Sequence, residues 1–179
     1  MEYNFYNEKD ARGLINNFFS ISIANLPFES TIIPIGFPSI TYAYGKEQVI
    51  THKKNITKFK ELIVTGQFNS SYHYFVNSTV HNIGANLHPT ALYKILGTDI
   101  SLITNQHLQV ENINKKLFNE FSSIFLEYEN DIVKLIKAII KHTNNLNLFI
   151  DKDVNFIDTA IDYILEKEGM IQVLDLLTV

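Results

Sequence analysis

The sequence predicts an α+β fold: an N-terminal curved, barrel-like antiparallel sheet followed by helices. Three observations carry that prediction. Up to about Leu87, apolar residues come in short β-branched and aromatic runs broken by turn formers. After Leu87 the apolar period changes from two to 3.6. The length, 179 residues, and an apolar content of 46% with 19% charge suffice for one sizeable core and exclude a disordered chain.

In the first half, Ile32-Ile33-Pro34-Ile35-Gly36-Phe37-Pro38 reads as an extended stretch at a sheet edge or corner, because two prolines remove ladder donors. Ser39 to Gly45 alternates, with Ile40, Tyr42 and Tyr44 on one face and Thr41 and Ala43 on the other. Gly45-Lys46 reads as a turn and Gln48 to Thr51 as a return strand. ELIVT (61–65), YHYFV (72–76) and TVHNIGANL (79–87) are further strands. Gly84 inside the last one implies a bulge or a close backbone approach.

In the second half, His88-Pro89-Thr90 opens a short helix, ALYKIL, which Gly97 closes. Leu117, Phe118, Phe121, Ile124 and Phe125 form one helical stripe between about Asn114 and Tyr128. Asn130 or Asp131 caps another helix that buries Ile132, Val133, Ile136, Ile139 and Ile140. His142 to Leu148 reads as a linker. From Asp151, Val154, Ile157, Ile161, Ile164 and Leu165 make an apolar face, with Asp158, Asp162 and Glu166 toward water. Ile171, Val173, Leu174, Leu176 and Leu177 begin a new apolar pattern that lacks a partner, as expected of a structural unit cut short or of a surface that another chain covers.

Composition removes several functions. There is no Cys, hence no disulfide, thiol catalysis or thiolate zinc site. Net charge is −4 and Arg12 is the only arginine, a poor endowment for gripping phosphates or reading bases. No apolar run approaches a membrane span, and the start, MEYNFYNEKDARGL, lacks a signal-peptide layout, so the expected setting is cytoplasmic, with no membrane partner. No Gly-x-Ser-x-Gly elbow, phosphate loop or His-x-His pair occurs. Ser70, Ser71 and His73 are neighbours without an orienting acid. No catalytic residue, cofactor or metal is therefore predicted, although His73, His81 and His88 would form a metal site if three strands brought them together.

Aromatics offer the better site. Tyr42 and Tyr44 share one strand face, and Tyr72 and Tyr74 share another. If the sheet curls, such a face lines an interior suited to a small-molecule ligand, and these four tyrosines are the predicted ligand contacts. The plainer alternative has them covering a half-exposed sheet, rings packed and hydroxyls in water.

IIPIGFPSITYAYG, VTGQF and HNIGANLHPTALYKILG, in that order, resemble the N-terminal regulatory domain of one branch of the AraC-type bacterial transcription regulators. The matching positions are Pro34, Gly36 and Pro38, then Gly66 and Gln67, then Gly84, Leu87 and Pro89. FIDTAIDYILEKEGMIQVLDLL is similar to the opening of the AraC-type DNA-binding domain. The likeness runs from about Thr31 to the C-terminus, but the recognition helix and the second helix-turn-helix are missing. It implies a regulatory, effector-sensing domain over 1–110, a helical linker and dimerisation region over 111–150, and a truncated helix-turn-helix start over 151–179. It further implies a small-molecule effector, a homodimer, and DNA contact only through the missing C-terminal region. The rival readings are a small barrel-type metal-dependent enzyme and a ligand-free interaction module.

Overall fold

Strand alternation sorts the side chains of one sheet onto two buried faces, and the rest of the fold covers both. The computed structural model describes residues 1–172, 174 and 176. Its strands are β1 (Glu2–Tyr6), β2 (Ile15–Ile23), β3 (Phe28–Ile32), β4 (Ser39–His52), β5 (Asn55–Thr65), β6 (Tyr72–Val76), β7 (Val80–Leu87) and β8 (His107–Gln109). The helices are α1 (Ala91–Leu96), α2 (Val110–Ile113), α3 (Lys115–Glu127), α4 (Ile132–Asn144) and α5 (Lys152–Glu166), with a 3₁₀ turn at Ile100–Ile103. All pairings are antiparallel, in the order β1-β2-β7-β4-β5-β8. β6 branches from β4 and carries β3 on its far side. The result is a curved antiparallel sheet followed by helices, without full closure.

Curvature comes from β4. Its first half pairs with β7 and its second half with β6, while β5 follows both halves across a register shift between Ala43 and Gln48. Gly45-Lys46 is therefore a bend within one strand, where the sequence suggested a reversal. The chain reverses at Lys53-Lys54, between the paired His52 and Asn55. A bulge adds twist without ending the ladder, so a glycine followed by a charged residue imitates a turn in sequence. Strands β1, β2 and β3 have no counterpart in the sequence reading. All but one residue of β1 are exposed, so no half-buried alternation marks it.

One face of the sheet packs on the helices. Phe18, Leu62 and Ile83 from the strands meet Phe121, Phe125 and Leu135 from α3 and α4, every one of them nearly inaccessible to water. Helices α3 and α4 begin where the sequence places them. Asn114 Oδ1 accepts from the Leu117 amide, and Asp131 Oδ1 from the Lys134 amide. Gly97 ends α1 in the left-handed region at φ 62°. His142 to Asn144 form the last turn of α4, so the linker after it is shorter than expected. Arg12 crosses to that linker and donates to the carbonyl of Leu146, while the Ala11 amide donates to Asn144 Oδ1.

Several residues that carry the family resemblance hold chain crossings. A Cβ on Gly66 would lie 1.9 Å from the Ile103 carbonyl oxygen, and the Gly66 amide donates to the Gln106 carbonyl. Gln67 Nε2 donates to the Gly36 carbonyl at 3.1 Å, tying the β3–β4 connection to the end of β5. The Leu87 amide donates to the Pro38 carbonyl at 2.8 Å. Gly84 is a close approach rather than a bulge: a Cβ there would sit 2.6–2.7 Å from Thr41 Oγ1, the Ile40 carbonyl and the Phe19 ring.

α5 docks through charge. Val154 is its one buried residue, whereas Ile157 and Leu165, expected on the apolar face, are exposed. Asp158, expected in water, turns inward and accepts from Thr90 Oγ1 and from the Lys94 ammonium. His88 lies 3.6 Å from Asp158 and 3.4 Å from Asp162. A carboxylate at helical spacing among apolar residues looks solvated until its cation, here the buried Lys94 of α1, is placed opposite. Of the segment resembling a helix-turn-helix start, Val173, Asp175 and 177–179 lie outside the described residues.

Gly66→Ala is expected to cost about 1–3 kcal/mol by overpacking against backbone, read as a lowered denaturation midpoint at constant slope. Asp158→Asn strips Lys94 of its counter-ion. It is expected to speed amide exchange in α5 by at least about tenfold while leaving the strands protected, as measured by hydrogen-exchange mass spectrometry.

Candidate functional site

The sheet face opposite the helices is only partly filled by its own side chains. Ile23, Ala43, Ile50, Phe59, Ile63 and Val76 pack there as a second apolar cluster. Beside them lies a cavity of about 330 Å³. Its wall is mostly hydrocarbon and aromatic, and includes Phe19, Ile63, Phe68 and Tyr72. The connection between β3 and β4, with the exposed Ile33 and Ile35, completes it. Among the described residues no Lys, Arg, Asp or Glu side chain lines it. Volume and lining fall within the range of small-molecule sites.

The four predicted tyrosines divide between the two faces. Tyr72 and Tyr74 line the cavity. Tyr42 and Tyr44 point to the helices: the Tyr42 ring stacks on Phe125 at 5.3 Å, and Tyr44 Oη donates to the Phe125 carbonyl at 2.7 Å. Their neighbours Ser39 and Thr41 take the cavity side of β4. Strand parity tells which residues share a face, but not which face turns toward which layer. Burial raises the pKa of all four phenols, bringing Tyr72 and Tyr74 to about 12, so the cavity tyrosines stay protonated and act as hydroxyl groups.

One polar cluster adjoins the cavity through Tyr74 and Asn82. Gln48, fully buried on β4 just beyond the bend, exchanges two hydrogen bonds with Asn82 of β7. Its Nε2 donates to Asn82 Oδ1 at 2.7 Å, and its Oε1 accepts from Asn82 Nδ2 at 2.9 Å. Tyr74 Oη donates to the same Oε1 at 2.5 Å. Three strands are thus joined through neutral groups that satisfy one another.

His107 is the cavity residue that sequence reading missed. It opens β8, pairs with Thr65 across the sheet, and its Nδ1 lies 2.9 Å from Thr65 Oγ1. Phe59 stacks on the imidazole at 5.7 Å, and the rings of Phe68 and Tyr72 pack against it at 5.0 and 5.1 Å. Nε2 is buried and has no hydrogen-bond partner. Burial, and secondarily the nearby His52, push the group down to about 3, so the ring is neutral. In sequence it is one histidine in a polar run, TNQHLQV, and nothing local distinguishes it.

The other imidazoles are dispersed. His73 lies on the outward face of β6, 3.3 Å from Thr31 Oγ1; His81 is 2.8 Å from Ser22 Oγ; His88 precedes α1. They do not converge, and among the described residues no group of three His, Asp or Glu side chains is placed to hold a metal ion. Ser70 meets His52 rather than His73, with Oγ 2.8 Å from Nε2. Among the described residues no carboxylate bonds that imidazole.

Residues 8–109 match the model of a family described as a domain of unknown function, DUF6597. The chain belongs to that family. The matched span begins before β2 and ends with β8, and so contains most of the sheet and the cavity. No curated protein matches the sequence. Among solved structures, one similar chain is described as an ethanolamine utilization protein Q from Salmonella typhimurium LT2. The identity is 11%, covering 48% of this chain and 68% of that one, with a TM-score of 0.35. A likeness of that order carries no assignment. No described helix is long and apolar enough to cross a membrane.

The buried neutral imidazole makes stability pH-dependent. Its folded value lies below the unfolded value of about 6.5, so the unfolded chain binds the extra proton and stability falls as pH drops from there toward 3. Between pH 7 and 5 the expected loss is about 2 kcal/mol from His107 alone. Burial lowers His81 and His88 too, which adds in the same direction. His107→Gln is expected to flatten, without abolishing, the fall in urea midpoint over this range.

Proposed function

We propose that this chain is the effector-sensing half of an AraC-type transcription regulator, with the cavity as its ligand site and the helices as the route to a DNA-binding domain. The observation that carries this reading is the shared wall. β4 lines the cavity with Ser39 and Thr41 and supports α3 with Tyr42 and Tyr44. A ligand that alters the packing of one face bears on the other through the same backbone. A second route is shorter: β8 begins at His107 and passes directly into α2 and α3. The coupling is a difference in ligand affinity between two sheet–helix arrangements. The motifs that resemble the AraC-type branch support the reading from sequence. The homodimer and the cytoplasmic setting belong to the same proposal, as does operator binding through a separate reader. Catalysis has no part in it.

The test is hydrogen-exchange mass spectrometry on the purified chain with a small molecule found by thermal-shift screening. Binding is expected to protect β4, β6 and β8 and to change exchange in α3 or α5 by at least about threefold, about 0.6 kcal/mol of coupling. The chain alone is expected to give no operator-selective gel shift. Chemical turnover of the bound molecule, or protection confined to the cavity strands, refutes the sensing role.

A further inference from the structure

The cavity's chemistry narrows what enters it. Three features converge. Among the described residues the lining has no Lys, Arg, Asp or Glu side chain with which to neutralise a charged ligand, and Met1, the lining residue that bears the α-ammonium, is largely exposed to water. An unpaired charge is poorly tolerated in so apolar a setting, so ions of either sign are disfavoured there. The amide of Asn82 and the hydroxyl of Tyr74, which line the cavity, are already bonded to the Gln48 amide behind them. His107 differs. Five buried side-chain atoms among the described residues lack a hydrogen-bond partner, on Ser78, His88, His107, Ser122 and His142. Of these residues only His107 lines the cavity. Its other nitrogen is fixed by Thr65, and Phe59 stacks on the ring, so its orientation is set before any ligand arrives.

We infer that the cavity takes an uncharged, predominantly apolar small molecule whose one hydroxyl, carbonyl or amide group bonds His107 Nε2. The inference rests on the sensing reading above and adds the ligand class to it. Because the Thr65 hydroxyl can donate to Nδ1 or accept from it, Nε2 is able to present either a lone pair or an N–H. The site accordingly accepts a ligand donor or a ligand acceptor and discriminates on charge. The aromatic wall of Phe59, Phe68 and Tyr72 favours a flat ring next to that polar group.

Four matched probes test it, each carrying the same methylphenyl body: toluene, p-cresol, p-toluate and 4-methylbenzylammonium. Affinities are read on the full chain by NMR titration, following the methyl signals of Ile50 and Ile63. p-Cresol is expected to bind at least about tenfold more tightly than toluene, the worth of one well-placed hydrogen bond. Both charged probes are expected to bind at least about a hundredfold more weakly than p-cresol. His107→Phe keeps the ring and removes the nitrogens, and should bring p-cresol down to the level of toluene. His107→Gln restores a donor and an acceptor, and should recover part of the difference even if the Phe variant folds poorly. Equal binding of p-cresol and p-toluate overturns the uncharged class while leaving the cavity as a ligand site. Equal binding of p-cresol and toluene overturns the role of His107. No shift of either methyl with any of the four probes overturns the cavity reading itself.

Discussion

Everything in this molecule depends on β4 pairing with three strands at once. A 14-residue strand that meets β5 along its length, β7 with its first half and β6 with its second cannot remain flat. Its register shift relieves the mismatch by bending, and the bend turns one sheet into a container on one side and a platform on the other. Alternation then gives every second side chain to each role. Tyr42 and Tyr44 reach the helices from even-numbered positions, while odd-numbered ones give Ser39 and Thr41 to the cavity. Gln48, beyond the shift, closes the container by binding Asn82 and Tyr74 of the two strands that β4 has brought together.

The motif residues gain a physical meaning from this arrangement. Gly66 and Gly84 stand where backbone or side chains of other segments come closer than a Cβ permits. Gln67 and Pro38 supply the bonds that hold the neighbouring connections in place. These positions maintain the crossings by which the container is built, and no ligand contact is needed to account for them.

Much of this was legible in the chain. The change from two-residue to 3.6-residue periodicity marks the border between sheet and helices, and caps such as Asp131 and Gly97 behave as their chemistry dictates. What stayed hidden depends on partners distant in sequence. Parity puts Tyr42 with Tyr44 and Tyr72 with Tyr74, yet only the fold decides that the first pair faces α3 and the second the cavity. Gly45 resembles a turn because local sequence does not register that β5 runs past it. His107 is silent because its aromatic neighbours come from three other segments of chain. Asp158 misleads because its cation lies 64 residues away.

The way α5 is fastened has a mechanical consequence. With Val154 alone buried, and with Asp158 set against Lys94 and Thr90, the helix is held at a few polar points and scarcely by oil. Lifting it away would return Asp158 and Lys94 to water and uncover Val154 as the one fully buried side chain of the helix. Such a fastening is a clasp of charge at two or three points rather than a seam of packing along a face.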